Sequence, residues 1–466
     1  MNRVPPFDTD LLARYDRPGP RYTSYPTAPQ FIAPFDEALL REQALRSNQG
    51  TGARALSLYL HIPFCQSPCF YCGCNRVITR DEAKGTGYVH RLQQEIALAA
   101  PLFDRQREVA QLHLGGGTPN FLRPAQIEEL LVTLREHFNL SNDPGRDFSI
   151  ELDPRFVALG DIEYLARIGF NRASFGVQDF APEVQGAINR VQSIEQTLSA
   201  IADCRKHHFR SVNVDLIYGL PRQTPRGFAQ TLDTLLTVRP DRFAVYGYAH
   251  MPYLFKAQRQ IDGRDLPDAA AKLQLLQLAI ERLAAAGYCY IGMDHFALPE
   301  DELARAQETG KLHRNFMGYT THADCDLMGF GVSAISHVGQ SFTQNLRDMR
   351  DWEAALDAGR LPLWRGMELS PDDELRADVI QQLMCLGRID IGATERRHRI
   401  DFLSYFSDAL HQLHPLVADG LVGVGGSVIA VTPRGRLLVR AVAMCFDRYL
   451  PAAAQSTERP RYSTVV

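Results

Sequence analysis

Between residues 55 and 293 the chain alternates short runs of β-branched and aromatic residues with amphipathic stretches of helical period, and this alternation restricts its fold most. The strand candidates are 55–60, 109–114, 147–152, 171–176, 211–218, 242–248 and 288–293. The helix candidates between them are 86–101, 125–138, 161–168, 193–208, 226–237 and 268–286. Repeated strand–helix units imply a parallel sheet with helices outside, closed as a barrel or laid open as a doubly wound sheet. The polar residues separate the two. Just after successive strands come a cysteine loop, Gly115-Gly116-Gly117-Thr118-Pro119, Glu151-Leu152-Asp153, Gly176-Val177-Gln178-Asp179, Asp215 with Tyr218-Gly219-Leu220-Pro221, and Tyr248-Ala249-His250. Unusual residues at nearly every strand's carboxyl end point to a barrel mouth, whereas a doubly wound sheet concentrates them at one switch point. About six clear units, rather than eight, predict an α/β fold built as a partial (β/α)6 TIM-like barrel.

The loop after the first strand holds Cys65, Cys69 and Cys72 in the spacing C-x3-C-x2-C, with Tyr71 just before the last cysteine. Three thiolates on one short loop can bind three irons of a 4Fe-4S cubane and leave the fourth iron open for chemistry. The rival is zinc, with Cys74 completing a four-thiolate site. Structural zinc usually takes two separated C-x2-C pairs, and four cysteines within ten residues are too cramped for that knuckle. The isolated Cys204, Cys289, Cys325, Cys385 and Cys445 read as core thiols. The glycine strip 115–117 lets backbone approach a ligand closely, and Glu151 at the third strand's mouth suits a pair of ribose hydroxyls. Asp153, before Pro154, reads as a helix cap. Gln178, Arg190 and Asp215 read as either ligand contacts or hydrogen-bonding residues of the barrel mouth. His61 reads as a hydrogen-bond donor behind the cysteine loop.

With 466 residues, room exists for roughly two or three domains. The expected division is an N-terminal extended arm and helix over 1–50, the barrel over 51–365, and a small, mainly helical C-terminal domain over 366–466. Residues before 30 are punctuated by proline and are expected to be non-helical, with a helix at 36–46. The C-terminal part predicts helices at 371–386 and 400–412, strands around 420–424 and 428–431, and a final helix near 433–449, a winged-helix-like pattern. A net charge of −4 and no basic stripe argue against nucleic acid. No window approaches the roughly 18 apolar residues of a membrane span, and a cytoplasmic location is expected.

The motif C-x3-C-x-aromatic-C closely resembles the signature of the radical S-adenosylmethionine (radical SAM) superfamily. Within it, nearly the whole chain resembles the oxygen-independent coproporphyrinogen III oxidases. The stretches that carry this are Pro20 to Thr27, Cys72-Gly73-Cys74-Asn75, the strip 115–119, Gly176 to Phe180, Val214 to Pro221, Tyr248-Ala249-His250, Ile291 to Phe296, His313-Arg314-Asn315-Phe316 and Gly331 to Ile335. The resemblance implies a 4Fe-4S cluster on Cys65, Cys69 and Cys72 and two SAM molecules. It assigns Tyr59, Tyr71, Gly116, Glu151 and Ile335 to the SAM on the cluster, and Gly117, Thr118, Gln178, Arg190, Asp215 and Ala249 to the second. Met317 stands where the family often has glutamine.

The implied reaction turns two propionate side chains of coproporphyrinogen III into vinyl groups, giving protoporphyrinogen IX in haem biosynthesis. A 5′-deoxyadenosyl radical opens each round, so an electron donor, an electron acceptor and oxygen sensitivity are implied as well. Arg21 and Tyr22 are candidate contacts for a substrate carboxylate and macrocycle, and Cys74 and Tyr22 are candidates for a direct catalytic part. A monomer is expected. The competing reading is a related haem chaperone, which shares the cluster loop but transfers haem; Cys72 to Asn75 and the arm 20–27 favour the oxidase.

Overall fold

In a computed structural model, which describes residues 5–49, 54–450 and 462–465, six parallel strands form the heart of one large sheet. They are β1 (Ala55–Ile62), β2 (Glu108–Gly116), β3 (Asp147–Leu152), β4 (Arg172–Gln178), β5 (Ser211–Tyr218) and β6 (Arg242–Gly247), hydrogen-bonded in sequence order. Six helices follow them: α1 (Glu82–Ala99), α2 (Pro124–His137), α3 (Asp161–Ile168), α4 (Ile194–Lys206), α5 (Pro225–Leu236) and α6 (Ala269–Ala285). Several start where the sequence supplies a cap. Asp81, Ser193, Thr224 and Asp268 each accept a hydrogen bond from a backbone N–H of the first turn.

The strands alternate with period two. Leu56, Leu58, Leu60 and Ile62 of β1 and Phe148, Ile150 and Leu152 of β3 enter the main core together with Leu92, Ile96 and Leu130 of the helices. The other face of each strand is polar: Ser57, Tyr59 and His61, then Gln111 and His113, Ser149 and Glu151, Ser174, Asn213 and Asp215. Closed TIM barrels fill this interior with branched apolar layers. A polar interior leaves space for a ligand.

The run at 288–293 is no seventh barrel unit. β7 (Cys289–Gly292) turns back within two residues, Met293 lying at φ +52, and pairs antiparallel with β8 (His295–Ala297), which borders β6. At the opposite edge β9 (Cys325–Phe330) pairs parallel with β1, and β10 (Ile335–Val338), β11 (Ser341–Asn345) and β12 (Leu363–Glu368) extend the sheet antiparallel. β12 spans the expected boundary at 365, and the boundary at 50–51 lies outside the described residues. No helix among the described residues is long and apolar enough to cross a membrane.

C-terminal to β12, helix Pro371–Leu386 leads into β13 (Arg388–Asp390), which pairs with β15 (Val428–Val431); β15 pairs with β14 (Val422–Gly425). The helix expected at 400–412 is broken into Phe402–Tyr405 and Ser407–Ala418. That expected at 433–449 shrinks to a 3-10 turn, Pro433–Leu438, and one short helix, Val439–Met444. Before residue 30 the chain is not wholly extended: Asp8 caps a helix at Thr9–Tyr15.

Leu11, Leu12, Tyr22 and Tyr25 of the arm join the C-terminal core beside Val379, Phe406 and Phe446. Arg440 pins the arm there, donating to the carbonyl oxygens of Pro20 (3.0 Å), Thr464 (2.8 Å) and Val465 (3.2 Å) and to that of Gly19. Burial and the nearby Arg21 charge push its guanidinium down to about 9. Arg440→Ala strands these buried carbonyls and is expected to cost about 3 kcal/mol of unfolding free energy in urea titrations, with proteolysis appearing near residues 17–25.

Candidate functional site

At the carboxyl ends of β1 to β5 lies a cavity of about 200 Å3. Cys65, Cys69, Cys72, Tyr71, Gly116, Gly117, Thr118, Glu151, Gln178, Arg190 and Asp215 all line it. The cysteine loop is closed by a two-residue parallel ladder, Phe64–Cys65 with Val77–Ile78. Arg76 braces it from within, donating to the carbonyls of Cys72 (3.1 Å) and Cys69 (3.2 Å). His61 holds it from below: the ring nitrogens lie 3.0 Å from the Tyr59 hydroxyl and 3.0 Å from the Asn75 carbonyl. Burial keeps this imidazole below its ordinary pKa and therefore neutral.

Each sulfur has a polar neighbour of its own. The Thr118 hydroxyl is 3.3 Å from Cys65 Sγ, Arg190 donates to Cys69 Sγ at 3.4 Å, and the Cys74 amide donates to Cys72 Sγ at 3.4 Å. Bonds from Cys74, helped by the Arg76 charge, lower the Cys72 thiol to about 6 against the effect of burial. Burial pushes the Cys65 thiol up to about 11. Three separated thiols, each with a donor that stabilises sulfur charge, fit a cubane cluster. Cys74 has an exposed side chain.

Glu151 leans over the glycine strip. Its Oε2 accepts from the Gly116 amide at 3.2 Å and its Oε1 lies 3.2 Å from His113 Nε2. Burial alone raises the carboxyl, but His113 and the Gly116 amide outweigh it and hold the group below its ordinary range. Asp215 has weaker company, Asn213 at 2.8 Å and Ser174 at 3.2 Å, so burial and the Glu151 charge push it up to about 7. Asp153 does cap the turn at Pro154, accepting from the Arg155 amide at 3.1 Å. It also pairs with Arg155 (2.7 Å) and Arg190 (3.0 Å), aiming both guanidinium groups at Cys69.

The glycines are steric necessities here. Gly116 sits at φ +117, and a Cβ on Gly117 stands 2.6 Å from the Pro63 carbonyl oxygen. Gly117→Ala must push the cysteine loop aside, and a displacement near 1 Å is expected to slow SAM cleavage by about 100-fold in an anaerobic methionine-release assay.

Three expected cofactor residues stand outside the cavity wall. Tyr59 stacks on His113 with ring centroids 5.8 Å apart. The Ala249 carbonyl shares the Gln258 amide with the Tyr71 carbonyl, at 3.2 and 2.9 Å. Ile335 opens β10, its backbone against Gly329 of β9. Met317 sits in the 315–318 turn, its amide donating to Asn315. Tyr22 is 2% exposed, packed in the C-terminal core with its hydroxyl donating to Asp447 at 3.0 Å, and it also lines a second cavity of about 870 Å3. Arg21 instead reaches the barrel side, over the Tyr246 ring and ion-paired with Asp294.

His113, Ser174, Asn213, Arg76, Arg155 and Gln258 were not anticipated. The signal for two of them, His113 and Asn213, lay in the strands themselves, where polar residues at every second position (Ser149-x-Glu151, Asn213-x-Asp215, Gln111-x-His113) mark an interior that is not a dry core.

Residues 59–235 match the Radical SAM superfamily and residues 369–438 match the HemN C-terminal domain. The oxygen-independent coproporphyrinogen III oxidase of Pseudomonas aeruginosa is 50% identical over 463 residues, 99% of each chain. The protein of that name from Escherichia coli is 47% identical over 455 residues, 98% of each. A solved structure, "Coproporphyrinogen III oxidase (HemN) from Escherichia coli is a Radical SAM enzyme", superposes with a TM-score of 0.91 at 46% identity. It covers 96% of this chain and 100% of that one.

Proposed function

The chain belongs to the oxygen-independent coproporphyrinogen III oxidase family of radical SAM enzymes, and we propose that it converts two propionates of coproporphyrinogen III to vinyl groups, giving protoporphyrinogen IX. One observation carries the reading: three thiols, the glycine strip, Glu151, Gln178, Arg190 and Asp215 share one cavity. When bound, the cluster and SAM supply the hydrogen-abstracting radical. The protein's own part is to hold and shield. Cys65, Cys69 and Cys72 are the cluster ligands, and Arg190 and Arg155 balance thiolate charge. Glu151, already ionised, is an acceptor for ribose hydroxyls beside the Gly116 backbone. Asp215 is short of donors, so a cationic ligand between it and Glu151 returns it to the carboxylate form.

A second SAM in contact with Gly117, Thr118, Gln178, Arg190, Asp215 and Ala249 is part of the same reading, as are Tyr59, Tyr71 and Ile335 around the first. So are a cytoplasmic monomer, external electron donors and acceptors, and the three-part division of the chain. Anaerobic reconstitution with iron, sulfide, reductant, SAM and coproporphyrinogen III is expected to yield protoporphyrin fluorescence after oxidation. Absence of product, together with tight haem binding, overturns the reading in favour of a haem chaperone.

A further inference from the structure

Among the described residues Arg314 is buried with neither a counter-charge nor a full set of hydrogen-bond partners, whereas Arg440, also without an ion pair, donates to backbone carbonyls. Arg314 is 5% exposed, yet its Nε and Nη1 have no hydrogen-bond partner among the described residues, and none of the ion pairs there includes it. Two neighbouring arginines, both less buried, differ. Arg21 pairs with Asp294, and Arg242 pairs with Asp301 at 2.8 Å and Glu302 at 3.1 Å. His295, buried in the same group, also has an unpartnered Nδ1. Burial and the surrounding arginines hold that imidazole well below its ordinary pKa, so it takes none of the charge away.

The rings around Arg314 form a continuous chain. Its guanidinium lies 4.7 Å from the centroid of Tyr319, Tyr319 meets His295 edge-on at 5.3 Å, His295 meets Tyr246 edge-on at 6.0 Å, and Arg21 lies 5.6 Å from Tyr246. Tyr246 belongs to β6 of the barrel, while Arg314 lines a second cavity, of about 870 Å3, with Phe316 and Phe342. Arg314 therefore stands where the barrel interior meets a large, partly aromatic space.

A buried, unpaired charge is among the costliest features a core can keep, and removing a partner from such a group typically destabilises by several kcal/mol. Folding gains nothing from Arg314 in this state. A carboxylate supplied by a ligand changes that, because the planar fork offers two parallel N–H donors and the low-dielectric surroundings strengthen the pair. Resting on the function proposed above, we infer that Arg314 binds a carboxylate of the tetrapyrrole substrate, with Tyr319 and His295 fixing the plane of its guanidinium.

The test compares wild type, Arg314→Lys and Arg314→Met as reconstituted holoenzymes. The KM for coproporphyrinogen III is expected to rise at least about tenfold in R314M, the cost of losing one charged hydrogen-bonded pair, with kcat changed far less and R314K intermediate. Removal of an uncompensated charge also predicts that R314M melts no lower than wild type in the absence of substrate. A purely structural arginine predicts the reverse, a lower melting temperature with KM unchanged, and that result overturns the inference. Should R314M both melt lower and bind worse, guanidinium ion added to Arg314→Ala decides: recovery of KM supports the carboxylate site and its absence refutes it. Failure of wild type to make protoporphyrinogen counts against the proposed reaction instead. In that case fluorescence titration with the oxidised tetracarboxylate, coproporphyrin III, and with its tetramethyl ester still tests the site. Weaker tetracarboxylate binding by R314M, with ester binding equal in both proteins, supports it, and equal tetracarboxylate binding refutes it.

Discussion

Cys72→Ala is expected to remove turnover to background, a loss of more than about 1,000-fold of the kind seen when one member of an interdependent catalytic unit is deleted. The thiol is one of three on a loop whose other two sulfurs are buried and held by Thr118 and Arg190. Cys74 is the one candidate substitute by sequence position, because its side chain as well as its amide bonds Cys72 Sγ. The control is therefore Cys74→Ala, which should retain bound iron and the visible absorbance of the cluster after anaerobic reconstitution, while Cys72→Ala loses both. Equal loss in the two variants counts against a three-thiolate site and in favour of a four-thiolate one.

The second large effect lies behind the site. Glu95 on α1 is fully buried and accepts three hydrogen bonds, from the Gly331 amide (2.8 Å), Trp352 Nε1 (3.1 Å) and Asn345 Nδ2 (2.6 Å). It ties the β9–β10 turn to α1. Trp352 stacks on Tyr88 at 4.8 Å, and the Tyr88 hydroxyl donates to the His61 carbonyl at 2.8 Å, so this network also supports the strand that carries the cysteine loop. Glu95→Ala leaves all three donors unpaired in a dry environment and is expected to cost about 3–5 kcal/mol in urea unfolding at pH 6.

Protonation adds a sign that can be checked. Burial outweighs the three donors and pushes the Glu95 carboxyl up to about 7, from an ordinary 4.5. The folded chain therefore holds this proton more tightly than the unfolded one. Its contribution is complete below about pH 4.5 and is lost as pH rises through 7, a change of about 3 kcal/mol. Glu95→Gln cannot titrate. The stability of wild type relative to Glu95→Gln should thus fall between pH 5 and pH 8, and a flat difference across that range refutes the raised pKa.

Much of the architecture was legible because its signals are local. Six strand–helix units have period-two and period-3.6 patterns that need no partner to be read, and Ser193 marks its helix start, whereas the helix expected from 86 begins four residues earlier, after Asp81. The run at 288–293 is a strand as expected, but β8, reversed by the turn at Met293-Asp294, takes the edge beside β6, a pairing that strand propensity alone does not reveal. The helix expected at 433–449 is a 3-10 turn and a short helix whose Arg440 reaches the arm, a contact between residues more than 400 positions apart that no local pattern reveals. Nothing near Tyr22 in sequence reveals that it packs into a C-terminal core.

Cys65, Cys69 and Cys72, the glycines at 115–117 and the acids at 151 and 215 are set by spacing along the chain, so the sequence alone determined the cluster loop, the barrel class and the reaction family. The electrostatics were decided only by the fold. Glu151 is ionised because His113 comes from the adjacent strand, Asp215 is pushed towards neutrality because it is buried and Glu151 shares its cavity, and Arg314 has no carboxylate while Asp294, Asp301 and Glu302 pair with Arg21 and Arg242. Charge acts through space and burial rather than along the chain, and those distances exist only once the strands are side by side.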